Sequence, residues 1–133
     1  YFYSFKLNSN LQKNNNAIQE ITIKWKPNII NDLLKEGNIV LVDVTADWCL
    51  TCKFNKMVIF RSKNIKDMIL NGKVKFVQAD WTLPNKDILY YLASFSKYGI
   101  PFNVIYGPND LKGIVLPEIL TPKSILQAYE SAS

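Results

Sequence analysis

Two cysteines, Cys49 and Cys52, stand two residues apart in the stretch DWCLTCK and are the only cysteines of this 133-residue chain. Such a pair can act as a structural staple, as part of a metal site, as a haem attachment point or as a reversible dithiol–disulfide couple. The chain contains no histidine, so a zinc site would lack its usual imidazole ligands and no metal is expected. Covalent haem attachment requires a histidine after the second cysteine, and Lys53 stands there instead.

The choice between a staple and a redox couple depends on the loop and its surroundings. A disulfide that closes so short a loop removes little entropy from the unfolded chain, so it stabilises the fold little. The almost continuously apolar NIVLVDVTA predicts a buried strand before the pair, and KFNKMVIF predicts a helix after it. Cys49 is then expected at the N-terminus of that helix, where unpaired N–H groups favour an exposed, attacking thiolate. Cys52, about one turn inward, is expected to be the buried resolving thiol, which favours a redox couple.

The remaining patterns predict strands and helices that alternate around this pair. Strands are expected at ITIKW, NIVLVDVTA and VKFVQAD, and helices at NIINDLLKEG, KFNKMVIF, SKNIKDMILNG and, over about four turns, NKDILYYLASFSKYG. PFNVIYGPNDLKGIVL predicts two antiparallel strands, and TPKSILQAYESAS a closing helix with Thr121 as its N-cap. This order is typical of an α/β fold with a mixed central sheet of four to five strands and helices on both faces.

Composition and length indicate the bounds of the domain and restrict the kinds of partner that it could bind. Residues 1–19 are rich in asparagine and are predicted to be a linker or N-terminal arm, whereas residues 20–133 are predicted to form one domain. The chain starts at Tyr1 and shows neither a signal peptide pattern nor a membrane-spanning apolar run, which indicates a piece of a longer protein. The net charge of +5 comes from scattered lysines, so nucleic-acid binding is not expected.

Four motifs in order, VDVTADWCLTCK, QADWT, YGIPFNVIYGPN and LPEILTP, resemble the C-terminal thioredoxin-like domain of the DsbD-type thiol:disulfide interchange proteins, within the thioredoxin superfamily. The resemblance covers roughly residues 20–130. It implies a thioredoxin fold and a protein-disulfide reductase whose redox centre is the Cys49–Cys52 disulfide, with no further cofactor.

The resemblance also implies a cellular setting. The domain would lie on the periplasmic side of the inner membrane as part of a membrane protein, with the N-terminal arm as its tether. A membrane-embedded donor domain would pass electrons to it, and it would reduce periplasmic acceptor proteins. One alternative is a free-standing periplasmic thioredoxin-like reductase, for example in cytochrome c biogenesis. An alternative of another class is a redox-inert interaction module held by a structural disulfide.

Two positions take roles from the same resemblance. Asp43 precedes Cys49 by six residues, where the family carries a buried acidic residue, and it is expected to accept the proton of Cys52. The alternative for Asp43 is a hydrogen-bonded strand aspartate without a chemical role. The sequence Gly99-Ile100-Pro101 matches the family's loop with a cis-proline facing the disulfide, which would leave the backbone of Ile100 open to a partner segment. A trans turn proline is the alternative at Pro101.

Three further side chains are candidates for binding or tuning. Trp48 is expected either to line the active-site surface or to pack beside the helix start. Lys53 would add positive field near the thiolate or is a plain surface lysine. Lys56 stands where better-known members of the family carry an acidic residue, so it would favour the thiolate if it faces the site, or else it is a solvated helix lysine.

The DWT segment at residues 80–82 and Glu118 match family motifs without a mechanism, and both are interpreted as structural. Asp47 and Thr51 are interpreted as local tuning or capping groups.

Overall fold

Strands and helices alternate along residues 17–133, the part of the chain that this computed structural model describes. A first helix includes residues 17–21 and is called α1. The elements that follow are β1 (Ile23–Lys24), α2 (Ile29–Lys35), β2 (Ile39–Thr45), α3 (Leu50–Arg61), α4 (Lys63–Leu70), β3 (Val74–Asp80), α5 (Lys86–Ala93), β4 (Phe102–Gly107), β5 (Asp110–Val115) and α6 (Pro122–Ala132).

The strands form one five-stranded sheet in the order β1-β3-β2-β4-β5. Strand β2 lies at the centre, parallel to β3 and antiparallel to β4, and β5 closes the sheet as the second strand of a hairpin with β4. A strand that is paired on both sides and covered on both faces has no solvated side, which explains the continuous apolar run of its sequence. The predicted α/β fold with a mixed sheet is confirmed.

Each face of the sheet carries its own apolar core. On one face α2 and α5 contribute Ile30, Ile88 and Leu92, which pack against alternate residues of β2, β3 and β4. On the other face α3, α4 and α6 cover a second cluster that includes Leu41 and Phe76. Helices therefore lie on both faces, as predicted, and α3 is held to the sheet with its first turn above the end of β2.

The segment predicted to be an N-terminal arm is only partly described. Residues 1–16, and with them the proposed tether, lie outside the described residues. Ile18 of α1 is fully buried in the core beneath α3, α4 and α6, although it falls within the predicted arm. The boundary at residue 20 stays a prediction. Within residues 17–133, no helix has the length and apolar character needed to cross a bilayer.

Two predicted elements are shorter than expected. The strand predicted at ITIKW is paired only over Ile23–Lys24, at the edge of the sheet. The helix predicted to run about four turns ends at Ala93, because the chain reverses through Ser96, whose φ is 58°. The N–H of Lys97 then donates to the carbonyl of Leu92 at 3.0 Å and closes the helix end. This early end frees the following residues to form the loop that reaches the cysteines.

Candidate active site

The cysteine pair lies where strand β2 gives way to helix α3. Cys49 is the N-cap of α3 and has an extended backbone conformation. Its sulfur is bonded to that of Cys52 in a disulfide, with 5.3 Å between the two Cα atoms. The backbone N–H of Cys52 donates to Cys49 Sγ at 3.2 Å. Helix N-terminal N–H groups have no partner within the helix, so this geometry stabilises negative charge on Cys49 Sγ once the disulfide is reduced.

The two cysteines differ in exposure less than expected. Cys52 is fully buried, as predicted, whereas Cys49 keeps only 7% of its surface exposed. The prediction of an exposed Cys49 is wrong in degree, because Ala46 and Ile100 pack against the pair. Cys49 is nevertheless the cysteine with any accessible surface, so an incoming disulfide has to approach from its side.

The DWT segment fastens the loop that carries the cysteines. The backbone N–H of Asp47 donates to Thr82 Oγ1 at 2.9 Å, and Trp48 Nε1 donates to the carbonyl of Thr82 at 3.2 Å. Thr82 is itself held by Asp80 Oδ1, which accepts from its backbone N–H at 2.9 Å. The end of β3 thus holds the turn before Cys49, which supplies the physical reason for the DWT segment.

An open groove lies beside the disulfide and includes two of the three predicted binding residues. Its volume is about 580 Å³, and its lining includes Trp48, Trp81, Pro84, Leu89, Tyr98 and Ile100. Trp48 is 61% exposed, an unusual degree for so large an apolar side chain. The Ile100–Pro101 peptide bond is cis, as the family resemblance implies, rather than trans. Ile100 packs against the cysteine pair and also lines the groove.

Asp43 lies on the face of β2 that α3 covers and is 1% exposed. Burial raises its pKa from 3.8 to about 6, although the charge of Lys56 and a hydrogen bond from Asn103 both lower it. Asn103 Nδ2 donates to Asp43 Oδ1 at 2.9 Å. The other oxygen, Oδ2, is buried without a hydrogen-bond partner among the described residues. This carboxyl group can therefore take up or release a proton near neutral pH.

The two candidate tuning lysines lie in different environments. Lys56 is half-buried, and its charge lowers the pKa of both Asp43 and Asp80, so it faces the carboxylates at the end of the sheet. Lys53, one turn earlier in α3, is exposed. Only Lys56 of the two acts on the buried carboxyl group.

Asn103 and Asn55 are site residues that the sequence reasoning missed. Asn103 is 2% exposed and is the one polar side chain in the run FNVIY, a signal that would have marked it. Asn55 lies in α3 between the second cysteine and Lys56 and is 1% exposed. Its Nδ2 donates to the carbonyl of Glu118 at 2.8 Å, and its Oδ1 accepts from the N–H of Leu120 at 3.0 Å. Asn55 thus holds α3 against the LPEIL segment, which gives that segment its structural role.

Residues 17–133 contain no cluster of three or more acidic or cysteine side chains arranged to hold a metal ion. The chemistry that this arrangement offers is exchange between a dithiol and a disulfide.

Comparison with known proteins places this arrangement in a family. The family model described as thioredoxin-like matches residues 27–108. The thiol:disulfide interchange protein DsbD of Pseudomonas fluorescens is 30% identical over 74 residues, which are 56% of this chain and 12% of that protein. The chain therefore spans only a small part of the length of that relative.

Solved structures show the same fold. The oxidised C-terminal domain of DsbD from Neisseria meningitidis aligns with a TM-score of 0.62 at 21% identity, covering 78% of this chain and 90% of that domain. A mutant thioredoxin from Halobacterium salinarum aligns with a TM-score of 0.59 at 15% identity, covering 84% of this chain and 88% of that one. Both likenesses concern the fold.

Proposed function

This chain belongs to the thioredoxin-like family, and we propose that it is a protein-disulfide reductase that passes electrons through Cys49 and Cys52. The observation that carries the proposal is the disulfide at the N-terminus of α3, where the N–H of Cys52 is directed at Cys49 Sγ. A sulfur stabilised as an anion and placed within bonding reach of a second sulfur supports reversible thiol–disulfide exchange.

The first step forms a mixed disulfide. In the reduced protein, the thiolate of Cys49 attacks one sulfur of a partner's disulfide, so that a new bond forms between Cys49 Sγ and that sulfur. The partner's own S–S bond breaks, and its second sulfur leaves with the electron pair and takes a proton from water. Attack has to come through Cys49, because Cys52 is fully buried.

The second step releases the partner. Cys52 gives its proton to Asp43, and the resulting thiolate attacks Cys49 Sγ, which restores the Cys49–Cys52 disulfide. The first partner sulfur leaves with the electron pair and is protonated from solvent, so the partner has gained two electrons and two protons. A pKa of about 6 suits Asp43 to this transfer, since the group is ionised at neutral pH yet basic enough to accept a proton.

The groove and the lysines supply binding and tuning in this proposal. Trp48 and the backbone of Ile100, held by Pro101, contact the partner segment next to its cysteine. Lys56 favours the ionised state of Asp43. Lys53 adds positive field near Cys49, at an exposed position that water screens.

The proposed setting is the periplasmic C-terminal domain of a DsbD-type inner-membrane protein. The partial identity to DsbD and the likeness to a DsbD C-terminal domain support this setting. In it, a membrane-embedded domain reduces the Cys49–Cys52 disulfide, and periplasmic proteins receive the electrons, including those that serve cytochrome c biogenesis. A free-standing periplasmic reductase would use the same residues with a different electron donor.

The test uses Cys52→Ser, which cannot resolve a mixed disulfide. With insulin as a model disulfide and no added reductant, this variant should accumulate an adduct on Cys49 that dithiothreitol later releases. The unaltered protein should catalyse the reduction of insulin when dithiothreitol supplies the electrons. The double variant Cys49→Ser/Cys52→Ser is the matched control and should form no adduct. If Cys52→Ser forms no adduct and the disulfide of the unaltered protein resists a glutathione buffer, the chain is a redox-inert module and the proposal is wrong.

A further inference from the structure

We propose that Asn103 is a positioning residue for the exchange reaction, because it binds one oxygen of Asp43 and leaves the other as the atom that accepts the proton of Cys52. The inference rests on the proposed function, since it names the group that prepares Asp43 for its role there. Asn103 lies within the motif YGIPFNVIYGPN, but the sequence analysis gave it no role.

The sheet register brings the two side chains together. Strands β2 and β4 are antiparallel, and Asn103 is the direct partner of Asp43 across that pair. Directly opposed residues project their side chains from the same face of the sheet, here the face beneath α3. Both residues are buried, with 1% of Asp43 and 2% of Asn103 exposed. Their contact is thus fixed by backbone pairing rather than by a mobile surface.

The orientation of the Asn103 amide follows from what surrounds it. Its Nδ2 donates to Asp43 Oδ1 at 2.9 Å and lies 3.5 Å from the carbonyl oxygen of Val42. The flipped amide would direct its own oxygen at two acceptors and would be repelled by both. The amide therefore acts as a donor, and a donor favours the ionised form of the carboxyl group that it contacts.

The second oxygen of Asp43, Oδ2, differs from Oδ1 in its surroundings. Oδ2 is buried and has no hydrogen-bond partner among the described residues. Within residues 17–133, the hydroxyl of Thr45, two residues further on the same face of β2, is also unpaired and so does not donate to Oδ2. A buried carboxylate oxygen that accepts no hydrogen bond is the oxygen that protonation stabilises most. Because Asn103 donates to Oδ1, the proton binds to Oδ2.

The charged and titratable groups around Asp43 come from two elements. Helix α3 contributes Lys56, whose charge lowers the pKa of Asp43. Strand β3 contributes Asp80, whose own pKa Thr82 and Lys56 lower. Strand β4 contributes no ionisable group on this face, where Asn103 and Ile105 lie. Asn103 is thus an uncharged donor that stabilises the ionised carboxyl group, whereas burial destabilises it.

The test is the titration of the Asp43 carboxyl carbon by NMR in the oxidised protein, which needs no thiol chemistry. In Asn103→Leu the midpoint should rise from about 6 to about 7 or higher, because a hydrogen bond to a charged group is lost. Ile105→Val is the matched control, on the same face of the same strand, and should leave the midpoint unchanged. Asn103→Ala should give the same upward shift if the leucine variant does not fold.

Kinetics then connects the titration to the reaction. Release of the partner from the mixed disulfide should follow a pH profile displaced to higher pH in the Asn103 variants, about fivefold slower at pH 6 and restored at pH 9. A folded Asn103 variant with the midpoint of the unaltered protein would overturn the inference. So would a shifted midpoint without a displaced rate profile. Failure of the insulin assay alone would count against the proposed function and not against the titration.

Discussion

The two faces of strand β2 are equally buried but chemically different. Towards α2 and α5 the strand presents Val40, Val42 and Val44, none of which is exposed. Towards α3 the alternate residues include Asp43 and Thr45, and both are at most 2% exposed. A strand alternates its side chains between faces, so one segment supplies both an apolar core and a polar layer.

The contrast shows that burial has opposite effects on the two faces. Burying the valines removes apolar surface from water and stabilises the fold. Burying Asp43 deprives its charged form of water, which destabilises the fold above the pKa of that group. The apolar face therefore stabilises the domain, whereas the buried carboxyl group on the other face lowers its stability above the pKa of Asp43.

The largest expected effect on stability comes from removing the charge of Asp43. Because the pKa of Asp43 is about 6 in the folded protein and 3.8 in its reference state, the folded state binds the proton more tightly between these pH values. The free energy of unfolding should therefore fall by about 2 kcal/mol as pH rises from about 4 to 7, which is most of the roughly 3 kcal/mol that the full pKa difference represents. Asp43→Asn should lack this loss and exceed the unaltered protein by about 3 kcal/mol at pH 8, measured by urea unfolding.

An exposed carboxylate provides the control for that measurement. Asp67, on the solvent side of α4, is exposed, and Asp67→Asn should unfold with the same pH dependence as the unaltered protein. If Asp43→Asn were less stable than the unaltered protein at pH 8, the claim that burial of Asp43 destabilises the fold would be wrong.

A smaller effect of opposite sign is expected on the apolar face. Val42→Ala should lower the free energy of unfolding by about 2 kcal/mol, because it removes buried methyl groups and leaves a cavity. The loss should be the same at pH 4 and pH 8, since no titratable group is involved. Val115→Ala in β5, where the valine is 40% exposed, should cost clearly less. A loss at Val42 that varied with pH would show that the two faces are not independent.

The smallest effect is expected at Lys56, whose charge reaches the polar face from α3. Lys56→Gln should raise the pKa of Asp43 above about 6 and cost about 1 kcal/mol at pH 8, where Asp43 is ionised, but less at pH 4. Lys53→Gln, at an exposed position of the same helix, should leave the Asp43 titration unchanged. Equal titration shifts in the two variants would mean that Lys56 acts only through the overall charge of the protein.

Local sequence patterns predicted the central strand and where two of the helices begin. The apolar run NIVLVDVTA identified the central strand, and the cysteines after it identified the start of α3. Thr121 and Pro122 marked the beginning of α6, where a reciprocal pair of hydrogen bonds between Thr121 and Ser124 forms the cap. These features depend on neighbours within a few residues, which a sequence displays directly.

The missed parts of the site depend on contacts between distant segments. Asn103 meets Asp43 across 60 residues of sequence, and its register follows from how β4 pairs with β2. The low exposure of Cys49 likewise depends on Ile100, which arrives from a loop far along the chain. The pairing register has no signal in the local sequence. The Gly99-Ile100-Pro101 motif predicted that this loop faces the disulfide, but not how closely Ile100 packs against Cys49.

The contact of Asn55 with the LPEIL segment has a consequence for how the protein matures. Asn55 joins the disulfide helix to Leu120, which the ribosome adds 65 residues later. Until then both polar groups of its side chain lack the partners that they have in the finished fold, and α3 is not fixed against the segment before α6. The contacts that hold α3 against this segment can therefore form only after the chain has been synthesised as far as Leu120.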